Sequence, residues 1–185
     1  KIIAKILENP DDTSFDIGSL IHGSMKDKLP ELELAIDGYI TPEQAAKLKI
    51  IKEHFDNLEA RKAELEELIL ALANPYQQEI SIILTAPGFK NTFTAIGIIS
   101  EIGTNMEAFP SAKHLCSWAG LTPTNNESAG KKKSVRVSKA GCYIKPLLVQ
   151  CANSVVKSEK HPEIRNRYLR LRKRRGHKKA IIAIA

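Results

Sequence analysis

The feature that most constrains the fold is a run of apolar residues at alternating spacings of three and four between Thr41 and Asn74. Residues 41–44 read Thr-Pro-Glu-Gln, in which the threonine can cap a helix, the proline suits its first position and the glutamine completes a capping box. Only Lys62 interrupts the pattern, and Asn74-Pro75 ends it. The sequence therefore predicts one long helix whose apolar stripe has the heptad spacing of a coiled coil. This stripe consists of Leu48, Ile51, Phe55, Leu58, Leu65, Ile69 and Leu72.

The partner of this stripe stays open at the level of sequence. About four heptads are enough to pair two helices, either between two copies of the chain or against the shorter apolar segments at residues 2–7 and 32–40. We favour pairing between copies slightly, which predicts a homo-oligomer. The predicted fold class is all-α, with a helical, coiled-coil oligomerisation region over residues 1–78 and a compact helical domain over residues 79–185.

Charge is distributed unevenly along the 185 residues. Residues 1–110 carry 10 Lys and Arg against 18 Asp and Glu, a net charge of −8, whereas residues 111–185 carry 18 against 3, a net charge of +15. Such a basic segment is typical of proteins whose cations displace counterions from nucleic-acid phosphates. A solvated cationic surface is the alternative for a single charge run.

Two other compositional features narrow the class of protein. No apolar run reaches the roughly 20 residues that cross a bilayer, so we expect a soluble, intracellular chain with no membrane contact. Cys116, Cys142 and Cys151 are odd in number and form no Cys-x-x-Cys pair. A disulfide framework or a zinc site is therefore not expected, and the three cysteines are interpreted as reduced packing thiols.

Residues 79–103 predict two helices joined by a tight turn at Pro87-Gly88, with Gly103 ending the second helix. The second helix is expected to bury Phe93, Ile96 and Ile99 or their neighbours. Backbone N–H groups of such a turn, with the start of the next helix, can point at a phosphate. We interpret the segment as a helix-hairpin-helix that holds a DNA backbone, and its candidate contacts are Gly88 and Lys90. A plain packed helical hairpin is the alternative.

Residues 111–120 predict a short helix that Ser111 caps and Gly120 ends. Leu115, Trp118 and Ala119 are expected to be core residues, because a lone Trp on an apolar helical face usually packs. A later apolar stripe over residues 143–156 predicts another helix, and residues 161–175 predict a basic helix that Gly176 ends. In that basic helix Arg172 and Arg174 are candidate nucleic-acid contacts.

Residues 127–141 place three hydroxyls, five cations and two glycines within fifteen positions. Serines in such a loop either hydrogen-bond phosphates or attack them. On the residues alone, Ser128 is a solvent-exposed loop serine, whereas Ser138 suits a phosphate contact or a helix cap. The candidate phosphate contacts are Lys131, Lys132, Lys133, Arg136 and Lys139, and disorder without bound nucleic acid is the alternative.

Five linked motifs resemble the C-terminal half of one transposase family. They read Ala-Pro-Gly-Phe at 86–89, Phe-Pro-Ser-Ala-Lys-His-Leu at 109–115, Trp-Ala-Gly-Leu-Thr-Pro at 118–123, Ser-Ala-Gly-Lys at 128–131 and Val-Ser-Lys-Ala-Gly at 137–141. The family is the insertion-sequence group usually numbered one hundred and ten, also called DEDD transposases or RNA-guided bridge recombinases. The resemblance spans residues 80–185, and residues 1–75 look like the coiled-coil region that precedes that half.

The resemblance implies an enzyme whose active site is divided between two domains. In the family, an N-terminal RuvC-like domain holds magnesium with four acidic residues, and the C-terminal domain supplies a nucleophilic serine that corresponds here to Ser128. No RuvC-like domain fits into residues 1–75, so we expect no cofactor or metal site in this chain and no strand transfer by it alone. The start at Lys1 without Met and the apolar ending also indicate a piece of a longer protein.

The resemblance also implies partners and a location: DNA, a guide RNA, and the nucleoid in a prokaryotic cytoplasm. The sequence departs from the family pattern where Ala129 replaces a glycine and where Ile144-Lys145 stands near the family's Leu-Arg. Two alternative functions remain. One is a non-catalytic nucleic-acid-binding and oligomerisation module, and the other is a helical adaptor for acidic proteins.

Overall fold

The computed structural model describes residues 1–10, 14–123, 126–134 and 136–185. These residues contain nine α-helices and one two-stranded antiparallel sheet, which confirms the all-α class and adds a short β-hairpin to it. Contacts divide the chain into two compact units, Lys1–Leu72 and Ala73–Ala185. The elements are α1 (Ile2–Glu8), α2 (Leu29–Ile36), α3 (Pro42–Ala73), α4 (Gln77–Leu84), α5 (Thr92–Ile102), α6 (Ala112–Trp118), β1 (Asn126–Ser128), β2 (Lys131–Ser134), α7 (Ile144–Lys157), α8 (Pro162–Arg175) and α9 (His177–Ile184).

The first unit is dominated by α3, a single helix of 32 residues. Its capping box is formed as predicted: the Thr41 N–H donates to Gln44 Oε1 at 2.9 Å, and the Gln44 N–H donates to Thr41 Oγ1 at 3.3 Å. The helix ends at Ala73, directly before Asn74-Pro75. Phe55, Leu58 and Leu65 of the heptad stripe are each more than half exposed, so this face of α3 is not covered by the described part of the chain.

The second unit is built around α7, which contacts α5, α8 and α9. One core cluster joins α7 to α8 and α9 through Ala152, Val155, Val156, Tyr168, Ala180 and Ile181. Another joins α5 and α7 to the end of α6 through Ile98, Ala119, Leu121 and Ile144. At the crossing of α5 and α7, a side chain on Gly97 would lie 2.9 Å from Leu147 Cδ1, so the glycine permits a close approach of the two helices.

Helices α4 and α5 form the predicted helical hairpin, with Ile80, Ala95 and Ile99 in its core. Ile98 is also buried, whereas Phe93 and Ile96 are only partly buried. Gly103 follows α5 with a φ of +70°, as expected for a helix-ending glycine. The expectation for α5 is thus met by Ile99 and its neighbours.

The expectation that Trp118 is a core residue was wrong. Its side chain is 44% exposed and meets Phe109 edge-on, with ring centroids 5.7 Å apart. Helix α6 has only seven residues, and its end is anchored by Ala119 and Leu121 instead. Ser111 precedes α6, but its hydroxyl bonds His114 Nδ1 at 2.8 Å rather than capping the helix.

None of the helices in the described ranges is long and apolar enough to pass through a membrane. Cys151 is buried, whereas Cys116 and Cys142 are exposed free thiols. The interpretation of all three cysteines as packing residues therefore holds only for Cys151.

Candidate nucleic-acid interface and serine hairpin

The segment predicted as a loop at residues 127–141 contains a β-hairpin, which from here on is called the serine hairpin and comprises residues 126–134. Strands β1 and β2 pair antiparallel, and Ser128 lies opposite Lys131. The two residues between them, Ala129 and Gly130, have φ angles of +51° and +72°. Positive φ at both central positions is the signature of a type I′ turn, whose twist matches that of paired strands. Ser128 therefore lies at the tip of the hairpin.

Ala129 is the only described residue other than glycine with a positive φ. A side chain in this conformation costs about 1–2 kcal/mol, because Cβ approaches the following carbonyl oxygen. The hairpin retains this unfavourable backbone at Ala129, because a two-residue connection of this type requires a positive φ at both central positions. A glycine at this position would adopt the same turn without that cost.

Ser128 and Lys131 are direct cross-strand neighbours. Residues opposite each other in an antiparallel pair have Cβ atoms about 4.5–5.5 Å apart and point to the same face. Both residues are exposed, so the Lys131 ammonium can reach an anion held at the Ser128 hydroxyl. Lys132 and Lys133 continue β2, and Lys133 has no strand partner because the register shifts there. The side chains of Lys132 and Lys133 lie outside the described residues.

The base of the serine hairpin is fixed to α6 by a close backbone crossing. Pro123 pairs with Val137 across the hairpin. A Cβ on Gly141 would overlap the Ala119 carbonyl oxygen and lie 2.9 Å from Ala119 Cα, and a Cβ on Gly120 would overlap the Ala140 carbonyl oxygen. Both glycines also have positive φ angles. We call this crossing the glycine interlock, defined by residues 119–120 and 140–141.

Lys145, in the first turn of α7, forms a hydrogen bond to the segment that contains the glycine interlock. Its Nζ donates to the Ser138 carbonyl oxygen at 2.6 Å, and the side chain is partly buried. A Cβ on Gly120 would lie 2.6 Å from this Nζ. The lysine side chain therefore packs directly on the glycine interlock. Lys145, which departs from the family pattern in the sequence, thus forms a hydrogen bond within the chain. No spacing rule signals such a contact, because it depends on how α7 meets the segment before it.

Ser138 does not cap a helix, contrary to one of its two predicted roles. Its hydroxyl accepts from the Ala140 N–H at 3.3 Å, while α7 begins at Ile144 with Tyr143 in the capping position. Arg136 and Lys139 on either side of Ser138 are exposed. The proposed phosphate contacts of these three residues stay predictions.

Gly88 in the turn between α4 and α5 is explained by packing. It has a φ of +94°, and a Cβ there would lie 2.5 Å from the Cys151 carbonyl oxygen of α7. The adjacent Phe89 N–H donates to the Ala86 carbonyl oxygen at 3.1 Å, which closes the turn. Lys90 beside it is exposed. A phosphate contact at Gly88 and Lys90 remains a prediction.

The basic helix α8 exposes Arg172 and Arg174 in its last turn.

In the described part of the chain, no group of three or more His, Cys, Asp or Glu side chains is arranged to hold a metal ion. The described residues therefore do not fit a magnesium site.

The fold and the charges first define a class: a basic, mainly helical domain that presents a serine at the tip of a hairpin. Residues 80–169 match the Transposase IS116/IS110/IS902 family. This match covers just under half of the chain and supports the resemblance that the five motifs predicted, and DNA is the partner that the family implies. Searches of curated proteins and of solved structures returned no significant match to the chain.

Proposed function

We propose that residues 73–185 bind DNA and supply Ser128 as the nucleophile for strand cleavage and exchange in transposition. The observation that carries this proposal is the position of Ser128. It stands exposed at the tip of the serine hairpin, opposite Lys131 and inside the segment that matches the transposase family.

The proposed step is a phosphoryl transfer to serine. Ser128 Oγ attacks the phosphorus of a DNA phosphodiester, the new Oγ–P bond forms, and one bond from phosphorus to a deoxyribose oxygen breaks. The serine proton passes to water or to a base of another domain, and the departing deoxyribose oxygen takes up a proton as it leaves. The energy of the phosphodiester is retained in the phosphoserine, so a hydroxyl of a second strand can reverse the step and complete the exchange.

Cations are needed because charge builds up on the phosphate oxygens as the serine attacks. Lys131 is the cation best placed for this role, because it lies directly opposite Ser128. The contacts proposed along the DNA backbone are Lys132, Lys133, Arg136, Ser138 and Lys139, with Gly88, Lys90 and Arg174 further away in the sequence.

Other components of the proposal lie outside residues 73–185. We propose that a RuvC-like domain of the longer protein supplies the acidic residues and magnesium, that a guide RNA is a further partner, and that the protein acts at the nucleoid. The exposed heptad stripe of α3 supports oligomer formation through residues 1–72, since an uncovered apolar face of four heptads is suited to pairing with a second copy.

The test is a recombination assay with the full-length protein that contains this sequence. Ser128→Ala is expected to abolish strand exchange while leaving DNA affinity nearly unchanged, because an exposed hydroxyl contributes little to binding. Ser134→Ala is the matched control, since it removes a hydroxyl from the same hairpin at a residue outside the proposed contacts and is expected to retain exchange. Exchange at the wild-type rate with Ser128→Ala would overturn the proposal.

A second candidate is a non-catalytic nucleic-acid-binding and oligomerisation module. The net charge of +15 over residues 111–185 favours it, because this charge explains binding without any chemistry. In that case Ser128→Ala leaves recombination unchanged, whereas charge reversal at residues 172–175 abolishes binding.

A further inference from the structure

Helix α8 carries six exposed arginines, and five of them lie on two different flanks. Its buried face is formed by Ile164, Tyr168 and Leu171, which pack against the α7 and α9 cluster. At about 100° of rotation per residue, the arginines fall on either side of this face. One flank, called flank A, carries Arg167, Arg170 and Arg174; the other, called flank B, carries Arg165 and Arg172. In the described chain these five arginines form no ion pair with a carboxylate.

The two flanks are matched in chemistry and separated in space. Arg167 and Arg174 are seven residues apart, as are Arg165 and Arg172, so each pair is nearly aligned and spans about 10.5 Å of helix. Arg165 and Arg167 differ by about 160° around the axis. The candidate contacts Arg172 and Arg174 consequently belong to opposite flanks and cannot both lie against one DNA strand.

Flank A continues into the helical hairpin. A cleft is lined by Ala86, Pro87 and Phe89 of the turn between α4 and α5 and by Arg167 of α8. A shallow groove beside it is lined by Arg167, Arg170, Lys173 and Arg174. Flank B lines neither. It borders Tyr168, whose hydroxyl bonds His177 Nδ1 at 2.8 Å at the junction with α9.

We propose that flank A, together with the turn at residues 86–89, is the surface that follows one strand of a DNA duplex. The spacing of Arg167 and Arg174 is long enough for the two guanidinium groups to contact different phosphates of one strand. The turn lines the same cleft as Arg167 and continues this row with its backbone, and neutral apolar walls around Arg167 strengthen its attraction to a phosphate. This inference rests on the proposed DNA binding and specifies the surface that performs it.

The test compares two double variants of the 185-residue chain, Arg167→Gln with Arg174→Gln and Arg165→Gln with Arg172→Gln. Each removes two charges at a spacing of seven from the same helix. Binding to a fluorescent DNA duplex is followed by anisotropy between about 50 and 200 mM salt. The flank A variant is expected to flatten the slope of log K against log salt by about 1.8, at about 0.9 for each lost phosphate contact. The flank B variant is expected to keep the slope within about 0.5.

The possible results distinguish a failure of the flank A assignment from a failure of the proposed DNA binding. Equal losses in the two variants mean diffuse attraction and overturn the flank assignment, as does a loss confined to flank B. A wild-type chain that binds DNA weakly and without salt dependence refutes the proposed DNA binding itself. If flank A matters for an RNA hairpin or an acidic protein but not for DNA, the surface serves that other partner and our assignment is wrong. Thermal unfolding followed by circular dichroism checks that both variants remain folded.

Discussion

Substitution of Gly141 by alanine provides the sharpest test of how the serine hairpin is held. Gly141 has a φ of +63°, and a Cβ there would overlap the Ala119 carbonyl oxygen. The left-handed backbone costs an alanine about 1–2 kcal/mol, and forcing the two backbones apart costs about 1–3 kcal/mol more. Gly141→Ala is therefore expected to lower the free energy of unfolding by about 2–5 kcal/mol, a large share of the roughly 5–15 kcal/mol typical of a domain.

Gly130→Ala is the matched control for this experiment. Gly130 has a φ of +72°, but a Cβ there meets nothing within 4 Å, so only the backbone cost of about 1–2 kcal/mol remains. Urea unfolding followed by the fluorescence of Trp118 is the suitable assay, because this is the only tryptophan and it lies beside the interlock. If Gly141→Ala costs no more free energy of unfolding than Gly130→Ala, the close crossing at Ala119 contributes nothing to stability.

Three further predictions concern the same region and the thiols. Ala129→Gly is expected to slow hydrogen exchange in β2 by relieving about 1 kcal/mol of turn strain; faster exchange would count against a strained turn. Lys145→Met is expected to lower the free energy of unfolding in urea by about 1–3 kcal/mol through loss of its charged bond, and no change would show that this bond contributes nothing. Burial raises the pKa of the Cys151 thiol, so a maleimide near pH 8 should modify Cys116 and Cys142 first. Mass spectrometry that finds all three modified equally in the folded chain would contradict the burial.

Local signals in the sequence predicted much of the helical frame. The capping box at Thr41 and the glycines at 103, 120 and 176 act on residues within one helical turn, and the structure starts or ends helices at these points. The heptad stripe predicted α3 but not its partner, because the same spacing serves packing within and between chains.

The serine hairpin was missed for a physical reason. Its turn places Ala129 at a positive φ, which is uncommon for alanine, and the run of lysines in β2 has low strand propensity. The signal that could have indicated the hairpin was the pair Ala129-Gly130 directly before the run of lysines. The glycine interlock joins residues about twenty positions apart, so only tertiary packing explains why Gly120 and Gly141 must lack side chains. Trp118 was misassigned because α6 is anchored by smaller neighbours.

The proposed strand exchange requires that Ser128 becomes covalently attached to DNA. This attachment is tested by trapping the full-length protein on a nicked substrate, digesting the complex and locating the attached nucleotide by mass spectrometry. A phosphodiester is expected on the peptide that contains Ser128, and it is expected to be lost with Ser128→Ala. Attachment to another residue, or efficient strand cleavage with no attachment at all, would contradict this requirement.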